Sequence, residues 1–277
     1  MADGLRILLT NDDGIDEPGL YALHDALSEL GEVVAVAPAR EQSAVGRSLS
    51  YGRGEDGELG VDFAGGAFSY RIAHAEHDLG YALEGTPCDC VIAGVNALVE
   101  DPDIVVSGCN PGANLGAHVL ARSGTASAAM EAAVLGVPSM AVSMDTLGLD
   151  REVTVDDFDA VGRFTRRLVE HALDAGVFED VDYLNVNAPR PDGPIDRVEI
   201  TRPSPVYEMD ATYEEGVLTV HNRLWEQMMA DRDLPDPEGT DRHAIKAGHA
   251  SISPLTVPHL PSEHDALDAF ADVTVEQ

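Results

Sequence analysis

The sequence predicts an α/β fold built on a mostly parallel, doubly wound sheet, and three features near the N-terminus carry that expectation. Residues 5–10 (LRILLT) form a continuous apolar run, the pattern of a strand buried on both faces. Pro18 then suits the first turn of a helix that places Leu20, Leu23, Leu27 and Leu30 at roughly helical spacing. A second apolar run at residues 33–37 is stopped by Pro38. Two parallel strands need a helical crossover of this length between them.

The later elements follow the same logic. Residues 51–73 change to short alternating segments with glycines, which suggests a hairpin excursion or edge strands. Thr86 before Pro87 marks a helix start, and that helix should reach about residue 99. Residues 103–107 (DIVVS) read as a strand, 108–116 as a Gly-rich loop and 123–135 as an Ala-rich helix. A strand at 139–143, a helix near 158–175 and a strand at 183–186 complete a core of about residues 1–190. Beyond it, 198–201, 217–221 and 252–257 suggest strands, while 225–239 is charged and turn-rich. The expectation is one domain over 1–277, with a β-rich extension from about 191 that serves oligomer contacts.

Charge is the outlying property. Fifty acidic residues face 17 basic ones for a net charge of −33, and Lys246 is the single lysine. Self-repulsion on this scale weakens a fold in dilute buffer. At molar salt the Debye length shrinks to about 3 Å and the repulsion largely disappears. The composition therefore points to a salt-rich cytoplasm such as that of a halophilic archaeon. It argues against contacts with nucleic-acid duplexes or anionic membranes. No basic leader and no apolar stretch of about 20 residues is present, and Cys88, Cys90 and Cys109 form no disulfide framework or zinc spacing. The expected location is cytoplasmic.

Four segments fall at strand ends or helix starts, where open parallel sheets bind ligands. Asn11-Asp12-Asp13-Gly14 follows the first strand. Two carboxylates about 4 Å apart repel by about 1 kcal/mol in water and about 4 kcal/mol at an effective dielectric of 20, a cost that a divalent cation removes. Turn capping is the plainer use of such residues. The loop carrying Ser43 follows the second strand, and a hydroxyl there can meet a metal or phosphate. The stretch from Ser107 to Gly116 (SGCNPGANLG) spaces three glycines four apart around Asn110 and Asn114, and matches neither a Walker loop nor a dinucleotide fingerprint. Ser123-Gly124-Thr125 opens a helix, where backbone N–H groups favour anions and Ser123 is also an ordinary N-cap. Carboxylates and an amide for a metal, with hydroxyls and helix amides for a phosphate, are the equipment of metal-assisted phosphoryl transfer to water.

The motifs TNDDGIDEPGL, APAREQS with SLS, EGTPCDCV, VSGCNPGANLG and SGTASAAMEA, and EGTDRHAIKAGHASISPL near the C-terminus, resemble the SurE family of nucleotidases in order and spacing. The resemblance implies a Rossmann-like core and release of phosphate from nucleoside 5′- or 3′-monophosphates, with short polyphosphate as a further substrate. It implies one divalent cation per subunit, Mg²⁺ or Mn²⁺, held by Asp12, Asp13, Ser43 and Asn110, with Asp12 or Asp13 as the proton acceptor. Asn11, Asn114, Ser123, Gly124 and Thr125 match positions around the substrate phosphate. A homodimer or homotetramer with exchanged C-terminal segments is also implied. Ala39, Cys109, Arg122 and His249 depart from the family pattern, and Arg122 adds a cation beside the phosphate positions. A Ser-His-Asp hydrolase lacks its GxSxG elbow, and a receiver domain lacks its lysine. The rival reading is a nucleotide-binding protein that keeps the pocket without turnover.

Overall fold

The computed structural model describes residues 4–51, 61–62, 69–191, 193–229 and 236–257. The expected β-α-β opening is present: β1 (Leu5–Thr10), α1 (Pro18–Leu27) and β2 (Gly31–Pro38). In α1, Pro18 sits in the first turn and Leu20, Leu23 and Leu27 are fully buried. Gly19 is required there, because a Cβ would come within 2.0 Å of the Cys109 carbonyl oxygen.

Much of the 51–73 excursion lies outside the described residues. Within it, β3 (Val61–Asp62) pairs with β4 (Ser69–Tyr70); directly after it, β5 (His74–His77) and β6 (Gly80–Leu83) form an antiparallel hairpin. The helix α2 (Pro87–Ala93) carries a capping box between Thr86 and Asp89, then passes into a π-helical turn over Gly94–Leu98. The strand β7 (Ile104–Pro111) is longer than its apolar text suggests, so half of the expected Gly-rich loop is strand. A short helix α3 (Ala117–Leu120) then precedes α4 (Gly124–Val134), β8 (Ser139–Met144), α5 (Asp159–Asp174) and β9 (Tyr183–Ala188). Last come β10 (Val198–Ile200), β11 (Met209–Glu214), β12 (Val217–Asn222), α6 (Arg223–Met229), α7 (Asp241–Lys246) and β13 (Ala250–Leu255). The helix α6 replaces the beginning of the charged, turn-rich stretch expected from 225.

The main sheet has the order β10-β13-β9-β8-β7-β1-β2-β6-β5, and its centre from β9 to β6 is parallel. Two strands from beyond residue 190 complete one edge, with β13 antiparallel to β9 and β10 parallel to β13. Side chains alternate across β1. Leu5, Ile7 and Leu9 join the core beneath α1 and α5, while Leu8 packs with Val36, Val105 and the α2–α4 residues Cys90, Val91, Ala128 and Ala132. Helices therefore cover both faces, which explains why the central strands lack polar alternation. The chain leaves β1 toward β2 on one side and returns as β7 on the other. That reversal opens a crevice at the carboxyl ends of β1 and β7.

Candidate active site

The crevice gathers the segments singled out in the sequence. Asn11 turns the loop after β1: its Nδ2 donates to the Gly14 carbonyl at 2.7 Å and its Oδ1 accepts from Gly14 N at 3.2 Å. With both ends of its side chain used there, and only 1% of its surface exposed, Asn11 shapes the loop. The loop after β2 is tied to it, since Gln42 N donates to the Asp12 carbonyl at 2.7 Å and Ile15 N to that of Pro38 at 2.9 Å. These bonds bring Ser43 to the same rim, exposed, with its hydroxyl donating to Glu41 Oε1 at 2.8 Å.

Asp12 is 4% exposed and its Oδ1 accepts from Thr125 Oγ1 at 2.6 Å. Gly124 permits this approach, because a Cβ there would lie 2.6 Å from the Asp12 Cβ. Burial raises the Asp12 pKa, while the Thr125 hydroxyl and the backbone N–H groups of Thr125 and Gly124 work against the rise. The start of α4 thus faces a carboxylate of the protein itself. Ser123 caps the same helix, accepting from Ala126 N at 3.0 Å.

Asp13 is less well provided for. Its Oδ2 is buried without a hydrogen-bond partner, as are Thr10 Oγ1 at the end of β1 and Ser107 Oγ, paired with it in register on β7. Burial first, then the charges of Asp12, Glu17 and Glu41, push its pKa up to about 8. Two neighbouring ionised carboxylates, one buried and one half-buried, are unstable without a compensating cation.

Asn110 reaches the crevice because β7 carries one extra residue. Ser107 pairs with Ala141 and Asn110 with Ser143, which leaves an irregularity over Gly108 and Cys109. Bulges of this type re-aim side chains beside functional sites. Gly108, at φ +136°, comes so near β8 that a Cβ would lie 2.2 Å from the Val142 carbonyl oxygen. Asn110 Nδ2 donates to the Gly112 carbonyl, so Oδ1 is the atom it can offer a cation.

Asn114 is committed elsewhere. Its Nδ2 donates to Ser143 Oγ at 3.0 Å, its N–H to Asn187 Oδ1 at 2.8 Å, and its carbonyl accepts from Asn185 and Asn187. The sequence reading passed over these asparagines, although two Asn within the buried strand YLNVNA were a visible signal. Asp241, inside the EGTDRHAIKAGHASISPL segment but without a role in the sequence reading, accepts from Gly116 N at 2.7 Å and Ser204 N at 2.9 Å, joining the late chain to the Gly-rich loop. Of the departures, Arg122 donates to Tyr207 Oη at 2.9 Å and lies over its ring, and His249 pairs with Glu199 at 2.6 Å.

The Survival protein SurE family profile matches residues 7–209. A protein of Haloarcula marismortui named 5′-nucleotidase SurE is 52% identical over 276 residues, covering 98% of this chain and 95% of the relative. Another of that name, from Halobacterium salinarum, is 48% identical with 98% of each chain covered. Among solved structures, the SurE protein from Aquifex aeolicus superposes with a TM-score of 0.69 at 31% identity, covering 92% of this chain and 94% of that one.

Proposed function

The chain belongs to the SurE family, and from that premise we propose that it is a metal-dependent 5′-nucleotidase, hydrolysing nucleoside 5′-monophosphates to nucleoside and phosphate. The reading extends to 3′-monophosphates and short polyphosphate as secondary substrates. The observation that carries it is the adjacent Asp12 and Asp13 at the β1–β7 reversal, Asp12 buried and Asp13 half-buried with its Oδ2 enclosed and unpartnered.

A divalent cation fits these residues. Among the described residues no three His, Cys, Asp or Glu side chains form a group that could hold a metal ion by themselves. The proposed set is instead two carboxylates completed by the neutral oxygens of Ser43 and Asn110, hard donors that suit Mg²⁺ or Mn²⁺. When bound, one such cation per subunit supplies Lewis-acid polarisation of the phosphoryl group and acidifies water.

The chain's own groups do the rest. Thr125 and the α4 amides hold Asp12 in place, as its bond at 2.6 Å supports. Asp13 Oδ2, which has no competing donor, takes the proton of the attacking water. The positive end of α4 draws the phosphoryl group toward Ser123, Gly124 and Thr125. Asn11 and Asn114 act from one step back, by fixing the loops that carry Asp12 and the Gly-rich turn.

The deciding experiment is phosphate release from a panel of mononucleotides in molar KCl. Release that stops with EDTA and returns with Mg²⁺ or Mn²⁺ is expected. No release with any metal, from protein shown to be folded in that buffer, overturns the enzyme in favour of a binding protein.

A homodimer or homotetramer belongs to the same proposal, as does a single domain whose C-terminal part makes the contacts. The β11–β12 hairpin supports it, because one face carries Met209, Ala211, Tyr213, Leu218 and Val220, with Tyr213 73% and Leu218 67% exposed. Deleting everything beyond residue 200 would strip β13 from the sheet, so substitution is the cleaner test. Tyr213→Ser with Leu218→Ser is expected to lower the mass seen by light scattering, and an unchanged mass removes the hairpin from the interface. A cytoplasmic setting agrees with three buried, unpaired cysteines and with the absence, among the described residues, of a helix able to cross a membrane.

A further inference from the structure

Trp225 is the only tryptophan of the chain and stands 53% exposed on α6. Asn222 sets it there, its Oδ1 accepting from Trp225 N at 3.0 Å. Trp225 lines a cavity of about 360 Å³ together with Pro111–Ala113, the residues directly after Asn110. Leu115, Leu147, Leu224 and Met228 make its lining predominantly apolar, and Asp145 and Asn222 add polar groups.

We propose that this cavity seats the nucleobase of the substrate, with the ring stacked on Trp225. The inference rests on the nucleotidase reading, in which the phosphoryl group lies at Asp12, Asp13 and Asn110. The rest of the substrate extends from that point, and Pro111–Ala113, directly after Asn110 in the chain, lie both beside the site and in the lining of the Trp225 cavity. The size of that cavity falls within the range of small-molecule sites. A second cavity at Pro111, about 470 Å³, adds Glu17, Arg151 and Glu152 to an apolar lining, and its one aromatic residue, Phe158, is fully buried and offers no face for a ring to stack on. Anions have little to gain in the Trp225 cavity, because the Arg242 guanidinium at its edge already pairs with Asp236 at 2.7 Å. An aromatic face beside branched apolar chains is instead a stacking surface, which tolerates any base and adds polar selection through Asp145 and Asn222.

The lone indole reports directly on the proposal. Titrating the full chain in molar KCl with adenosine, which has no phosphate, is expected to quench Trp225 emission saturably, whereas ribose 5-phosphate leaves it unchanged. Trp225→Ala is expected to raise KM for AMP about tenfold with little change in kcat, and Trp225→Phe to recover most of the loss. No quenching by adenosine, or an unchanged KM in Trp225→Ala, overturns the base seat. Emission that responds to protein concentration and not to adenosine gives the cavity to a second copy of the chain, and overturns it too. Quenching without phosphate release keeps the seat and removes the nucleotidase. Phosphate release without quenching does the reverse.

Discussion

Asp13→Asn is expected to lower kcat for AMP by about 10²–10⁴-fold, the range found when a positioned proton acceptor is lost. The substitution keeps the side-chain volume and removes the charge, so the fold should survive. Stability separates this from unfolding. Burial and the neighbouring carboxylates raise Asp13 to about 8 in the folded chain, above its ordinary value. A raised acid contributes stability at low pH that is lost as pH climbs through the folded value. EDTA-treated wild-type protein should therefore melt at lower temperature at pH 9 than at pH 6. The Asn variant, fixed in an uncharged form, should show a smaller difference between the two. Added Mn²⁺ should restore the wild type at pH 9 and have little effect on the variant. Wild-type turnover by the variant, or equal metal stabilisation of both, would remove Asp13 from the site.

The second large effect concerns salt. Transfer from molar KCl to dilute buffer is expected to unfold the chain, with loss of far-UV helical signal and of activity. A folded domain is stable by only about 5–15 kcal/mol, so repulsion among unscreened carboxylates need not be large to overcome it. Arginines that could offset it are already engaged, in pairs such as Arg47–Glu131, Arg151–Asp157 and Arg223–Glu226. A net of −33 remains to be screened by ions. The relatives in Haloarcula and Halobacterium accord with this expectation. Sucrose at equal osmolarity should not substitute for KCl. A chain that keeps full helical signal and full turnover without salt would contradict the expectation.

Legibility varied with how local the cause was. The β1-α1-β2 opening was readable because unbroken apolar runs and leucines at helical spacing leave few alternatives. The end of β7 was not, since Gly108, Asn110 and Pro111 spell a loop until β8 pairs with them across a bulge. Nor was α6, where Leu224, Trp225, Met228 and Met229 stand at helical spacing but over only seven residues, directly before charged, turn-rich text. The entry of β10 and β13 into the main sheet depended on partners distant in the chain, which no local pattern encodes.

The sequence alone determined the fold class, the order of the core elements, the net charge and the residue types available at the strand ends. Those follow from composition and from side-chain periods of two and 3.6 residues. The tertiary structure decided what each side chain meets. Thr125 reaches Asp12 across 113 residues, Asn187 reaches Asn114 across 73, and Trp225 comes to line one cavity with Pro111 only after the late chain folds back. Asn11, Asn114 and Ser123 turned out to be held by the backbone and by neighbouring side chains in loops and a helix cap, while Asp13 was left with an unpartnered oxygen. A carboxylate's basicity depends on the water it loses and the charges around it, and both come from segments far apart in the chain.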